Sequence, residues 1–334
     1  MIGAMESVGN PSSVHAEGRA ARAVVERARA QVAAAVGCKP AEVIFTSGAT
    51  EAASVLSRLP ARHNVWVDPT AHDCLLAQVR DGGDADSGHT LAWGYANNET
   101  GLITEPPGKL ADGWPYGARR ADWLLLDVVQ AVGKVPFAFA WSGADMAIVS
   151  AHKFGGPKGV GALILRDGLD ISPLLTGGGQ EMGRRSGTEN VIGIAGFGAA
   201  AEAAMRDLAD GVWERVEQFR NILEAGLSAP GFRTISVGKD VARLPNTLCL
   251  IAPGWKGETQ VMAMDLAGFA VSAGSACSSG KVKASRVLKA MGFDDLAAAS
   301  AIRVSLGPSV TEEEVLRFVD LWCKTYARHL ARTT

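Results

Sequence analysis

Apolar positions along this chain recur with two different periods. From Ala16 to Val36 small apolar residues (Ala20, Val24, Ala28, Val32) return at three- and four-residue steps among Arg and Glu, which predicts a helix. VIFTSGATEAASVL (43–56) reads as strand, glycine turn and helix, and NVWVDP (64–69) and LAWGYA (91–96) as short strands. WLLLDVV (123–129) and DMAIVSA (145–151) are almost wholly apolar. Such runs fit central parallel strands covered on both faces, with functional groups at their carboxyl ends. GVGALILR (159–166) is a further strand, TGGGQEMGRRSGT (176–188) a glycine-rich turn, and the Ala-rich stretch 190–209 a long helix.

After Asp210 the rhythm changes. A helix over 212–228 leads to strands near 232–237 and 246–252 and a helix near 258–268. The small-residue loop VSAGSACSSG (271–280), a short helix (284–291) and the strand IRVSLG (302–307) follow. Thr311 with Glu314 makes a capping box for the last helix. The Gly-, Pro- and Asp-rich stretches 82–90 and 104–120 are expected to be loops. The fold class is therefore α/β: a large domain with a mainly parallel central sheet (10–209) and a smaller α+β C-terminal domain (210–334).

Composition narrows the classes without adding a function. The 334 residues are 47% hydrophobic and 20% charged, which excludes disordered and low-complexity chains. With 33 Lys and Arg against 35 Asp and Glu, the net charge of -2 gives no basic excess to attract nucleic acid. No run approaches the ~18 apolar residues of a membrane span, and MIGAMESVGNPSS lacks the basic and apolar regions of a signal peptide. The five cysteines (Cys38, Cys74, Cys249, Cys277, Cys323) form no CxxC pair and no zinc-spaced cluster, so no metal site is expected. Their odd number and scatter argue against a disulfide framework and for the reducing cytoplasm.

Chemistry concentrates in a few segments. In SAHKFGGPKGVG (150–161), Lys153 stands at the end of a buried strand beside Ser150 and His152. A desolvated lysine loses its proton easily and attacks carbonyls, as Schiff-base enzymes require; the alternative is a lysine snorkelling at a strand end. Asp127 ends WLLLD at the sheet's carboxyl edge, where a carboxylate can hold the pyridine nitrogen of pyridoxal phosphate (PLP) protonated and make the ring an electron sink. Taken alone it caps a helix equally well. SGAT (47–50) between strand and helix is a plausible phosphate cradle. Cys277 sits among residues too small to pack a core, a setting in which a thiol reacts, whereas the other four cysteines read as small hydrophobes. Arg303 projects from a strand and fits either a substrate carboxylate or a structural ion pair. His72, in DPTAHD, suits ring stacking and proton transfer, or is a surface turn histidine.

Together these segments resemble the cysteine desulfurases of the NifS/IscS type, within the PLP-dependent class V aminotransferase group. The resemblance runs from NPSSVHAEGRAAR (10–22) nearly to the C-terminus through VIFTSGATEA, YANNETG, LLLDVVQAVGK, SAHKFGGPKGVGALI, GGGQEMGRRSGTENV, RLPNTL, SAGSACSSG and IRVSLG. It implies an aspartate aminotransferase-like fold. Lys153 would form the internal aldimine with PLP and shuttle protons, His72 would stack on the ring, and Asp127 would bind the pyridine nitrogen. Gln130 and Asn98 would contact the phenolic oxygen side, with Asn98 also near the substrate carboxylate. Ala49, Thr50, Ser150 and His152 would hold the phosphate, and Arg303 the substrate carboxylate. Thr188 would reach the phosphate of the other subunit, which implies a homodimer with shared active sites.

Cys277 matches the catalytic cysteine. The implied reaction converts L-cysteine to L-alanine and leaves the sulfur as a persulfide on Cys277, from which a sulfur-acceptor protein takes it for iron–sulfur cluster assembly or another thiolation route. SACSSG resembles the longer-loop branch, whose cysteine swings to a partner. Other readings on the same scaffold are a selenocysteine lyase or aminotransferase-like reaction, and a catalytically weak scaffold subunit. The chain departs from the family in four places. It has nothing like YLDNNATTP before NPSS, it is about two dozen residues shorter between His72 and Asn98, 104–120 carries three prolines where relatives tend to have a helix, and Ala151 stands where many carry glycine.

Overall fold

The structure, a computed structural model, describes residues 1–83, 87–229, 231–274 and 284–333. The chain forms two compact units, the first Met1–Tyr95 with Glu105–Asp210, the second Ala96–Thr104 with Gly211–Thr334. The short excursion 96–104 thus clusters with the second unit although it lies deep within the sequence of the first.

In the first unit, α1 (Ile2–Met5) and α2 (Ala16–Val36) precede β1 (Val43–Thr46), α3 (Ala49–Ala53), β2 (Asn64–Val67), α4 (Asp73–Leu76) and β3 (His89–Gly94). The stretch expected to be a loop over 104–120 instead carries most of a hairpin, β4 (Trp114–Tyr116) and β5 (Arg119–Ala121), paired antiparallel around Gly117. Gly117 has φ +60°, which a glycine adopts without strain and which turns the chain between the strands. Then come β6 (Trp123–Asp127), α5 (Phe139–Ser142), β7 (Met146–Ser150), β8 (Gly161–Leu165) and α6 (Val191–Ala209).

Among the described residues the main sheet has the order β1-β8-β7-β6-β3-β2. Strands β2, β3, β6 and β7 run parallel, and β8 is antiparallel to both β1 and β7, so β1 runs with the parallel set. The apolar runs are apolar because both faces are covered: every residue of Leu124–Asp127 and Met146–Ser150 is buried. On one face α2 packs along α6. The buried stripe of α2 is Ala21, Val25, Ala28 and Val32, not the Ala20, Val24 series of constant four-residue steps. A 3.6-residue turn drifts against a step of four, so the core face moves by one position over two turns.

A buried ion pair fixes the glycine-rich segment to this layer. Arg29 on α2 meets Glu181 in a two-pronged contact, Nη1–Oε2 2.8 Å and Nη2–Oε1 2.7 Å, and the backbone N–H of Phe45 donates to the same carboxylate at 2.8 Å. Burial alone would lower the Arg29 pKa, but its bonds to Glu181 hold it above the ordinary value.

The second unit contains α7 (Val212–Leu227), β9 (Ile235–Ser236), β10 (Thr247–Ile251), α8 (Gly257–Asp265), α9 (Arg286–Ala290), α10 (Asp295–Ala299), β11 (Ala301–Ser305) and α11 (Glu312–Thr333). Its sheet is antiparallel in the order β11-β10-β9. Trp322, Tyr326, Phe318 and Trp255 fill its core against Leu248, Leu250 and Ile302. The expected capping box is present: Thr311 Oγ1 accepts from Glu314 N while Glu314 Oε2 accepts from Thr311 N. No helix among the described residues is long and apolar enough to cross a membrane.

Candidate active site

The carboxyl ends of β1, β2, β3, β6 and β7 open on one edge of the first unit's sheet, and the expected cofactor residues of that unit follow those ends. Ser47–Thr50 follow β1, His72 follows β2, Asp127 closes β6, and Ser150, His152 and Lys153 close or follow β7. This is where open parallel sheets bind ligands, because the backbone ends and loops there leave a crevice.

Asp127 is buried, and one of its oxygens accepts the N–H of Val129 at 3.0 Å. Burial pushes its pKa up, against the pull of the Val129 N–H and the positive charges of His72 and Lys153. A carboxylate so desolvated is stabilised by a cation placed against it. His72 caps α4, its Nδ1 accepting the Cys74 N–H at 3.1 Å.

Lys153 corrects the expectation of a desolvated lysine: it is exposed. Strand β7 ends at Ser150, and residues Ala151–Lys153 form a single 3-10 turn that lifts the side chain off the sheet. The desolvated lysine of this edge is Lys134, which sequence reasoning missed. It is 5% exposed, and its Nζ donates to the Gln130 carbonyl at 2.9 Å. Burial, then the charge of Lys153, pull its pKa down to about 7. The only sequence signal was a Gly-Lys pair after a strand, which reads as surface.

The 47–50 turn converges on the same edge. Gly48 has φ +155°, and a Cβ built on it would have Ser150 Oγ as nearest neighbour at 4.0 Å, leaving room beside an exposed Thr50 and a half-buried Ala49. Ser150 Oγ is bonded to His152 Nδ1 at 2.9 Å. Burial, followed by the charges of Lys153 and Lys158, lowers the His152 pKa. Glu51 braces this turn, accepting from Ser47 N at 2.7 Å and from Arg185 Nε at 2.8 Å. Although burial opposes it, these bonds hold the Glu51 carboxyl below the ordinary carboxylate range. Exposed Thr188, two residues from Ser186, lines with Thr46, Ser47, Gly159 and Arg185 a cleft of ≈ 230 Å³.

Asn98 and Arg303 belong to the second unit and meet there. Arg303 Nη1 donates to the Asn98 carbonyl at 2.7 Å and Nη2 to Ser272 Oγ at 3.1 Å. Beside them Glu99, buried, accepts from Ser285 Oγ, which also caps α9. Cys277 lies outside the described residues. Of the remaining cysteines, Cys74 and Cys249 are buried and Cys38 half-buried, and burial first of all pushes each thiol up to about 12. That is the chemistry of inert small hydrophobes. No group of residues able to hold a metal ion occurs among the described residues.

Comparison with known proteins follows the same outline. The aminotransferase class-V family model matches residues 4–74 and 87–318. A cysteine desulfurase of Cereibacter sphaeroides is 38% identical over 352 residues, covering 95% of this chain and 88% of its own length. One of Klebsiella pneumoniae is 38% identical over 335 residues, covering 92% of this chain and 83% of its own. A solved NifS-like protein from Rickettsia africae superposes with TM-score 0.84 at 27% identity, over 98% of this chain and 94% of that one. A second solved NifS-like protein gives TM-score 0.80 at 31% identity, over 98% and 92%.

Proposed function

We propose residue roles for a chain that belongs to the class V aminotransferase family and is a PLP-dependent cysteine desulfurase. The observation that carries the proposal is the convergence of Asp127, His72 and Lys153 at one sheet edge, with Asp127 buried and under the charge of the other two. These residues fit the cofactor: a desolvated carboxylate is suited to a protonated ring nitrogen, and the open space at Gly48 beside Ser150 is suited to a phosphate.

On this reading Asp127 holds the ring nitrogen and His72 stacks on the ring. Gln130 and Asn98 contact the ring's phenolic oxygen side. Ala49, Thr50, Ser150 and His152 hold the phosphate. Once bound, the ring supplies an electron sink for negative charge at the substrate Cα. Lys153 holds the cofactor and moves the Cα proton, and its exposed position on the 3-10 turn supports that role. Arg303, with Asn98, takes the substrate carboxylate; its fork already spans a carbonyl and a hydroxyl oxygen in the second unit.

Cys277 is the sulfur acceptor. Its thiolate bonds to the substrate sulfur, the sulfur's bond to Cβ breaks, and the electron pair left on carbon takes a proton, giving alanine and a protein persulfide. We read residues 10–209 as the cofactor-binding domain and 210–334 as the domain carrying Cys277. We further read the enzyme as a cytoplasmic homodimer in which Thr188 reaches the phosphate bound by the other protomer; its exposure supports this. The persulfide then passes to an acceptor protein for iron–sulfur cluster assembly or another thiolation route.

The test is turnover of L-cysteine with a reductant, quantifying alanine and sulfide together. Equal amounts of both, lost in Cys277→Ala while the cofactor stays bound, are expected. Product formation that survives the substitution overturns the role of Cys277.

A further inference from the structure

A buried lysine is expensive unless something uses it. Lys134 is 5% exposed, and among the described residues it pairs with no carboxylate. A Leu or Met of similar length fills the same space without the cost of desolvating an amine. Its surroundings give the amine two things to act on.

The first is the turn that carries the ring contacts. From Asp127 the chain closes tightly: Val129 N–H bonds back to the Asp127 carboxylate, Val132 N–H to Val128 O, and Lys134 N–H to Ala131 O. The Lys134 side chain then returns to the Gln130 carbonyl, so the residue that ends the turn also ties its middle. Gly133 (φ +74°) makes this return possible, because a Cβ there would sit 2.6 Å from Ala204 Cβ.

The second is Lys153. The same absent Cβ would lie 3.5 Å from the Cβ of Phe154, so the turn after β6 abuts the turn after β7 next to each lysine. Lys153 is the charged group that acts on Lys134 from the neighbouring element, and Lys153 in turn acts on the Asp127 carboxylate, which favours its charged form. Charge coupling is mutual: whatever Lys153 does to Lys134, Lys134 does to Lys153.

We propose that Lys134 is a positioning residue of the cofactor site, tying the Asp127–Gln130 turn and, in its protonated form, placing a second positive charge near Lys153 that favours the unprotonated Lys153 nitrogen. The proposal rests on Lys153 being the lysine that holds the cofactor. It assigns no contact between Lys134 and substrate.

The test titrates the visible absorption of the full-length holoenzyme against pH, which reports the proton on the lysine nitrogen bonded to the cofactor. Lys134→Met is expected to raise that midpoint by about one pH unit. Lys134→Arg, which keeps the charge, leaves it at or below the wild-type value. An unchanged midpoint in Lys134→Met, or equal shifts in both variants, overturns the proposal and leaves Lys134 as a packing residue. Borohydride reduction followed by peptide mapping locates the lysine that carries the cofactor. Label on a residue other than Lys153 refutes the assignment of Lys153, and does so independently of the midpoints.

Discussion

Removing Glu181 is the sharpest test of how the glycine-rich segment is held. The carboxylate receives three charge-assisted bonds, two from Arg29 and one from Phe45 N–H, none longer than 2.8 Å. In Glu181→Ala the guanidinium stays buried and charged, because an arginine keeps its proton even where burial opposes the charge. Its remaining partners are the Val43 carbonyl and Glu26, which is half in solvent. Breaking a buried pair from one side costs about 3–5 kcal/mol. Replacing both partners, Arg29→Met with Glu181→Leu, removes the stranded charge and leaves two neutral backbone groups unpaired, the Phe45 N–H and the Val43 carbonyl, at a cost of about 1–3 kcal/mol. The double variant should therefore be the more stable of the two. Urea unfolding of these variants and of the singles Arg29→Met and Glu181→Leu, followed by circular dichroism, completes the cycle. A loss under about 1 kcal/mol for Glu181→Ala, or strictly additive effects, would refute the reasoning.

Further outcomes follow from the braces around the site. The folded Glu51 pKa is depressed, so its bonds to Arg185 and Ser47 contribute fully above the ordinary value of 4.5 and are lost as pH falls through the folded value. The stability gap between wild type and Glu51→Gln should be constant at neutral pH and close below about pH 4.5; a gap that persists into acid contradicts this. Ser285→Ala strands the buried Glu99 carboxylate and uncaps α9, and should cost about 1–3 kcal/mol in denaturant unfolding. A change below about 0.5 kcal/mol would show that Glu99 finds another donor.

What the sequence discloses here depends on range. Leu124–Leu126 and Met146–Val149 announce central strands because burial on both faces is written in every residue. Asp127, Ser150 and Lys153 were legible because strand ends carry function in such sheets. The hairpin at 114–121 was not, since Pro115 and two arginines conceal a two-strand period so short. Neither was the height of Lys153, which a three-residue 3-10 turn decides after the apolar run has ended. Lys134 escaped for a related reason: the adjacent Gly133 packs against Phe154 in the turn after β7 and Ala204 on α6, both distant in sequence, and no local pattern records such neighbours.

The excursion 96–104 has a consequence for how such an enzyme can be cut and recombined. The chain leaves the first unit after Tyr95 and re-enters at Glu105, with Tyr95 Oη donating to the Glu105 carboxylate at 2.9 Å where the two stems meet. Within the excursion Leu102 bridges to Arg243, Gly101 lies against Thr247, and Asn98 takes Arg303. A gene fusion at residue 210 thus does not exchange whole modules. It would carry Asn98 and Glu99 away with the wrong parent, separated from the Arg303 and Ser285 with which they were selected. Chimeras joined there should inherit mismatched halves of one hydrogen-bond network, and lineages of this architecture are constrained to evolve residues 96–104 together with the C-terminal part of the second unit.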